Sequence, residues 1–346
     1  MYLATLRCAR MAIGVLLQMS LTVILFAHAV PGHAVDRVRE GIQIGALGSL
    51  RVTLPATGAK YNLKYDIEEF ADSSAALLAL DGGNIDVANT TAQHLIRAID
   101  QGMDVVMVLG WGGGYNVFVS SRALALQPGD WPGLKALAKQ RVAAGKPLKI
   151  AVPTGSLQHL KLIYRLREAG IDPDRDVVLI NMPFADQPRA LADGEADMAM
   201  TLAVFGAMAI EDKSARLFSH VVGGDSGKQE IGFIVQGKDI RERPDYVQRL
   251  VSSHVDAMNT FIGNVDRQIE LEHQYSKLPL PVLQIQQRDF LKIDYRIDIA
   301  DLKKIAQQMY EQGWTKKNRA AEVEKYVDFR FLEKATHKSQ GQLNSW

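Results

Sequence analysis

The residues in this chain best suited to hold a charged group are Pro153, Thr154, Gly155 and Ser156. They form a turn before an apolar helical pattern. A helix start offers amide N–H groups without intrahelical acceptors and a partial positive charge, and a glycine lets a ligand approach the backbone closely. Such a turn can cradle an anion without a dedicated lysine or arginine, although any tight strand-to-helix turn favours the same residues. His159 lies one turn further on, where a lone histidine also serves as a packing residue. Asn89, Thr90 and Thr91 end one apolar run, Gly48 and Ser49 follow another, and Thr201 and Phe205 follow a third. In α/β proteins ligands gather beyond the carboxyl ends of strands, but an ordinary helix cap uses the same short polar residues. Trp111, beside Gly112, Gly113 and Gly114, fits either an aromatic wall or the edge of a connection.

Signals for catalysis are poor. Gly224-Asp225-Ser226-Gly227 matches the nucleophile loop of trypsin-like proteases, but in an α/β pattern it reads as a turn. The glycines at 110, 112, 113 and 114 do not complete a dinucleotide fingerprint, because Tyr115 stands at the last position. There is no Walker or HExxH motif, and the eight histidines lack metal-ligand spacing. No cofactor or metal is expected.

Alternating elements must position these residues. Lys149 to Val152 and Val177 to Met182 read as buried strands, with a helix between them marked by Leu160, Ile163, Tyr164 and Leu166. Upstream, strands are expected at Gln43 to Ala46, Tyr65 to Phe70, Asp86 to Ala88 and Val105 to Leu109. A helix capped by Ser73 or Ser74 carries Ala76, Leu77 and Leu80, and another ends at Gly102. Gly110 to Tyr115 should break the pattern before a strand at Asn116 to Ser120. A strand at Ile231 to Val235 and helices at Pro244 to Ile262 and Ile297 to Gln312 follow, with a frayed polar tail after Leu332. Such alternation implies mostly parallel sheets with helices on both faces.

The Val-Pro-x-Gly-Ser turn at Val152 to Ser156, the helix end Gly170-Ile171, Asp176-Val177 and Ala190-Leu191-x-x-Gly194-x-x-Asp197 occur in a telling order. An earlier Ala79-Leu80-x-x-Gly83-Asn84-Ile85-Asp86 repeats the last pattern. In these features, from about Ile42 to Tyr310, the chain resembles the nitrate/sulfonate/taurine family of periplasmic substrate-binding proteins of ABC importers. The resemblance implies a two-lobed α/β type II periplasmic binding protein fold, a Venus flytrap. Its lobes would comprise 35–119, then 120–230, with 231–346 returning to the first lobe. It also implies an interlobe ligand site including Gly155 and Ser156, and delivery to an ABC permease and its ATPase. The run Met198 to Phe205 departs from relatives, which carry bulkier aromatics or a proline there. Arg296 is a possible charge partner. Enzymes of thiamine-pyrimidine synthesis share this fold, so an enzyme is the alternative, as is a ligand-binding sensory protein.

The whole chain agrees with export and binding. It has 346 residues, 47% hydrophobic and 23% charged, with a net charge of +1, which argues against nucleic acid as a partner and suits a monomer of two modest domains. Arg7 and Arg10 precede an apolar stretch from Met11 to Phe26 and then the small-residue sites Ala27-His28-Ala29 and Gly32-His33-Ala34. This is the pattern of a secretory signal peptide over 1–34, with an uncleaved anchor as the other reading. The single cysteine, Cys8, falls inside it, so the exported chain would lack disulfides.

Overall fold

The structure is a computed structural model describing residues 35–43, 47–70, 72–220 and 228–345. The expected signal peptide, Gly45 and the loop Gly224 to Gly227 lie outside the described residues. The chain runs β1 (Asp36–Gln43), α1 (Gly48–Lys60), β2 (Leu63–Phe70), α2 (Ser73–Asp81), β3 (Val87–Thr91), α3 (Ala92–Gln101) and β4 (Val105–Gly112). It continues through β5 (Asn116–Ser121), α4 (Trp131–Ala143), β6 (Leu148–Val152), α5 (Leu157–Glu168), β7 (Val177–Asn181), α6 (Gln187–Asp193), β8 (Met198–Leu202), α7 (Ala203–Glu211) and β9 (Ala215–His220). After β10 (Ile231–Gln236) come α8 (Gly237–Glu242), α9 (Pro244–Asn259), α10 (Val265–Ser276), α11 (Leu280–Gln284), a π-helix (Ile285–Phe290), α12 (Ile299–Glu311), α13 (Arg330–Thr336) and α14 (Gln340–Leu343).

These strands make two five-stranded sheets of matching order, β2-β1-β3-β10-β4 and β7-β6-β8-β5-β9. In the first, β1 and β3 are parallel, and β10 lies antiparallel between β3 and β4. In the second, β6 is parallel to β7 and β8, and β5 is antiparallel to β8 and β9. Residues 116–121 therefore lie wholly in the second sheet, and the chain crosses between sheets at Gly113 to Tyr115. A division after residue 119 would cut β5.

Strand alternation sorts the core of the second sheet. Ile150, Val152, Met198, Met200 and Phe118 face one apolar cluster, and Ala151, Ala199, Val117 and Val119 face the other. The Met-Ala-Met run is thus a packing pattern: bulky residues on one face, small ones where α7 packs closely. On that side a Cβ at Gly206 would stand 2.5 Å from Val117 Cγ2. The same cluster takes Val282, Phe290 and Leu291, so the chain beyond β10 serves both sheets. In the first cluster, Val247, Leu250, Val251, Val255 and Met258 form the buried stripe of α9, as their helical spacing predicts.

Several local expectations change. Asp72, and neither serine, caps α2 by accepting from Ala75 N–H at 2.9 Å. The first strand lies at Asp36–Gln43, earlier than expected, and β3 runs through Asn89, Thr90 and Thr91 where the strand was expected to stop at Ala88. The tail does not fray. Leu343 is fully buried, its carbonyl accepts from Ile297 N–H at 3.0 Å, and Asn344 Oδ1 accepts from Ile299 N–H at 3.0 Å.

Nor does the pattern break at Gly110, because β4 continues to Gly112. Alternate glycines of this stretch meet the backbone of residues 290–296. A Cβ at Gly110 would lie 1.9 Å from Arg296 O, at Gly112 2.0 Å from Lys292 O and at Gly114 2.1 Å from Phe290 O. The approach is fixed by Gly110 N–H to Tyr295 O at 2.9 Å and a reciprocal pair between Gly113 and Lys292 at 3.0 and 2.9 Å. Gly110→Ala should therefore cost more than about 3 kcal/mol in urea denaturation, because backbone must move. Gly102→Ala, at φ +78 with no heavy atom within 4 Å, should cost only about 1 kcal/mol. Equal stabilities would refute the close approach.

Candidate functional site

The two sheets meet where the chain crosses, and a buried polar network holds that junction. Glu230, just before β10, accepts from Tyr115 N–H at 2.7 Å, from Asn116 Nδ2 and from Lys161 Nζ at 3.2 Å. Gln158 Nε2 donates to Asn116 Oδ1. The Glu230 carbonyl accepts from Ala92 N–H at 3.0 Å, and its own N–H donates to Gly112 O at 3.3 Å. One residue thus ties the crossing, the start of α3 and the buried face of α5. Glu230 and Lys161 are each 1% exposed. Burial pushes the Glu230 carboxyl above its ordinary range, against the pull of Lys161 and the amide donors.

Sequence reasoning missed this network. A signal was present: residues 157, 160, 161 and 164 form one helical stripe, and Lys161 stands in it between leucines and a tyrosine. A lysine at a core-facing position calls for a buried partner.

The turn expected to cradle an anion opens helix α5, and most of its donors are already used. Thr154 N–H donates to Asn181 Oδ1 at 2.9 Å, Gly155 N–H to His159 Nδ1 at 3.1 Å and Ser156 N–H to Pro153 O at 3.3 Å. Ser156 Oγ caps the helix, accepting from His159 N–H at 3.1 Å. The amides of Leu157 and Gln158 have no acceptor among the described residues. Gly155 has φ +77 and no heavy atom within 4 Å of an added Cβ, so backbone conformation is what favours glycine there.

The same turn touches the first sheet's helices. Gln93 Nε2 and Arg97 Nη2, both on α3, donate to Gly155 O at 2.7 and 3.3 Å. The His159 ring lies 5.7 Å from Trp314, and Tyr164 OH donates to Glu311 on α12. Burial lowers the His159 pKa, and Nδ1, as acceptor, leaves the proton on Nε2. Leu157 and Leu160 belong to the first sheet's apolar cluster, where each contributes roughly 2 kcal/mol by leaving water.

The other expected site residues divide into groups. Ser49 is fully buried, and its N–H and Oγ both donate to Glu272 Oε1 at 2.8 Å; Gly48 sits against the same carboxylate. Asn89 Nδ2 reaches Gly232 O at 3.5 Å. Thr91 Oγ1 caps α3 and bonds His94 Nδ1 at 2.8 Å. Thr90 and Thr201 are each 1% exposed, with hydroxyls that have no hydrogen-bond partner among the described residues. Trp111 is fully buried, donates its indole N–H to Tyr115 OH and packs on Phe233 and Phe261 at 6.0 and 5.9 Å. Phe205 stacks on Phe184 at 6.5 Å. Arg296 pairs with Asp294 at 2.6 Å. Among the described residues, no cluster of three or more His, Cys, Asp or Glu could hold a metal ion, and no helix is long and apolar enough to cross a membrane.

A model of the NMT1-like family matches residues 56–268, more than half of the chain. The chain belongs to that family. Among curated proteins none matches it in sequence. Among solved structures, this NMT1-like chain is similar to the alkanesulfonate-binding protein SsuA from Xanthomonas axonopodis pv. citri bound to MOPS, with TM-score 0.66 and 21% identity, covering 86% of this chain and 99% of that one. It is similar to the periplasmic aliphatic sulphonate binding protein SsuA from Escherichia coli, with TM-score 0.69 and 19% identity over 85% and 92% of the two chains. The periplasmic nitrate-binding protein NrtA from Synechocystis PCC 6803 matches with TM-score 0.69 and 13% identity over 90% and 91%. The NMT1-like chain therefore has the two-lobed α/β fold that its sequence resemblance implied.

Two outcomes test the junction. Glu230→Ala removes the carboxylate that pairs with Lys161 at 3.2 Å and should cost about 3–5 kcal/mol in urea denaturation, while the double change Glu230→Gln with Lys161→Met should recover most of that. A loss below about 1 kcal/mol in the single variant would show that the pair does not hold the junction. The second concerns His94, whose pKa is lowered to about 4 by burial and by Arg97. The folded state keeps His94 neutral while the unfolded chain takes up a proton near the ordinary value, so stability should fall as pH drops from about 6.5 toward 4. His94→Gln should flatten that slope, and an unchanged slope would assign it to other groups.

Proposed function

We propose that this protein is the periplasmic solute-binding component of an ABC importer, capturing a small anionic molecule between its two sheets and passing it to a membrane permease and ATPase. Binding, with no chemical step, is the activity. Family membership and the fold support this reading, and the similar structures are of proteins that bind sulfonates and nitrate.

The observation that carries it is a matched pair of buried hydroxyls. Thr90 lies at the carboxyl end of β3, the middle strand of the first sheet, opposite Gly232 of antiparallel β10. Thr201 lies at the carboxyl end of β8, the middle strand of the second sheet, opposite Val117 of antiparallel β5. Leaving a hydroxyl buried without a partner costs about 1–3 kcal/mol, and two equivalent places bear that cost. A ligand accepting both hydroxyls, with the Leu157 and Gln158 amides at its negative end, would satisfy all four. It would touch both sheets only when they are together, which makes ligand capture and hinge closure one event.

Thr90→Val and Thr201→Val keep side-chain shape and remove the unpartnered hydroxyl. Each should leave the urea midpoint unchanged or raise stability by up to about 1 kcal/mol, while weakening ethanesulfonate or nitrate binding by about tenfold in titration calorimetry. Wild-type affinity for those probes in both variants would remove these hydroxyls from the site.

A further inference from the structure

Helix α5 serves two apolar clusters from two of its faces. Leu162 and Leu166, one turn apart, pack in the cluster of its own, second sheet. Leu157, Leu160 and Tyr164, at spacings of three and four, lie against the cluster of the first sheet, where Leu157 is 3% exposed and Leu160 fully buried. A helix that covered one sheet alone would need only one such stripe. The second stripe is covered here by the other sheet's elements, so the two sheets can part at α5 only by returning it to water.

The first sheet's helices meet that stripe with polar groups already in place. Gln93 and Arg97, one turn apart on α3, converge on Gly155 O at 2.7 and 3.3 Å. Trp314 lies 5.7 Å from the His159 ring with 30° between the planes, and Glu311 at the end of α12 accepts from Tyr164 OH. Burial and then Glu311 push the Tyr164 phenol up to about 12, so it stays protonated and donates across the neutral range. The chain around Trp314 is itself anchored: Asp100, on α3, accepts from Lys316 N–H at 2.8 Å, Lys317 N–H at 3.3 Å and Arg319 Nε at 3.0 Å. Each partner in these contacts belongs to the chain, so they form without anything bound.

Resting on the solute-binding reading, we propose that Gln93, Arg97, Glu311 and Trp314 form a clasp on α5 that draws the two sheets together without solute, and so tunes capture without touching the solute. A solute that needs both sheets binds fully only where they are together, and its apparent affinity falls by the fraction of protein that is open. Entry needs the open form. The clasp therefore tightens binding and slows entry at once. Loss of a direct solute contact acts differently, mainly by speeding release.

Small-angle scattering of the solute-free protein tests the clasp directly. The double variant Arg97→Ala with Trp314→Ala should gain about 1 Å in radius of gyration, over the roughly 20 Å of a compact chain of this length, while still unfolding cooperatively in urea. Trp314→Phe keeps a ring against His159 and should scatter as wild type does. Tyr164→Phe loses only its bond to Glu311 and should shift the radius in the same direction by less. With ethanesulfonate as the probe, the double variant should bind about tenfold more weakly in titration calorimetry and associate several-fold faster in stopped flow. Identical scattering of wild type and the double variant, or an opening that leaves the association rate unchanged, overturns the inference and leaves the contact as packing alone. Failure of ethanesulfonate to bind any of these proteins refutes the anion-capture reading, and the solute-free scattering then decides the clasp by itself.

Discussion

Backbone lies on backbone where the chain passes from one sheet to the other, and the rest of the molecule is arranged around that contact. Side chains cannot separate residues 110–114 from 290–296, because an added Cβ at Gly110, Gly112 or Gly114 would fall about 2 Å from a carbonyl oxygen. The crossing is therefore braced by a second stretch of chain hydrogen-bonded along it. That stretch leads back to the π-helix and Phe290, which cover the alanine face of the second sheet. A π-helix is uncommon and tends to mark places where geometry is constrained. Here it ends where residues 290–296 begin their course along the crossing.

Polar groups at the junction follow from the same constraint. Lys161, Glu230 and Asn116 are buried at this crossing, and a buried charge needs a partner. Lys161 finds Glu230, Asn116 lies between Glu230 and Gln158, and α1 receives the Glu272 carboxylate in place of a local cap. Buried pairs of this kind add little net stability relative to apolar residues, but losing one partner is costly, so Lys161 and Glu230 depend on each other where α5 meets the return segment.

Much of this was legible in the sequence. The alternation of strands and helices, the β6-α5-β7 unit and the buried stripe of α9 were all readable, because each rests on periodicity within one element. The strand at Gly110 to Gly112 was not, since the four glycines at 110, 112, 113 and 114 read as a break unless the approaching segment, about 180 positions downstream, is known. Local residue types could not distinguish Asp72 from Ser73 or Ser74 as the cap of α2. The tail misled for a related reason: few apolar residues are visible there, yet Leu343 packs and bonds beside Ile297 while Asn344 bonds Ile299. Of the residues in the proposed site, Gly155, Ser156, Thr90 and Thr201 stand out in the sequence as types and positions, whereas the buried carboxylates Glu272 and Glu230 do not. Their roles depend on partners distant in sequence.

Sheet order carries a further consequence, for the sequence of events during synthesis. β4 and β10 are antiparallel neighbours, with Gly112 opposite Ile231, so the whole second sheet sits inside the tip of a hairpin belonging to the first. β10 also separates β4 from β3. Until residue 236 has left the ribosome, β4 has no neighbour in its sheet, and the first four strands cannot close around their core. The inserted sheet, by contrast, has all of its strands once β9 is made. The part of the chain that comes first is thus the last to be completed, and an emerging chain remains open for most of its length.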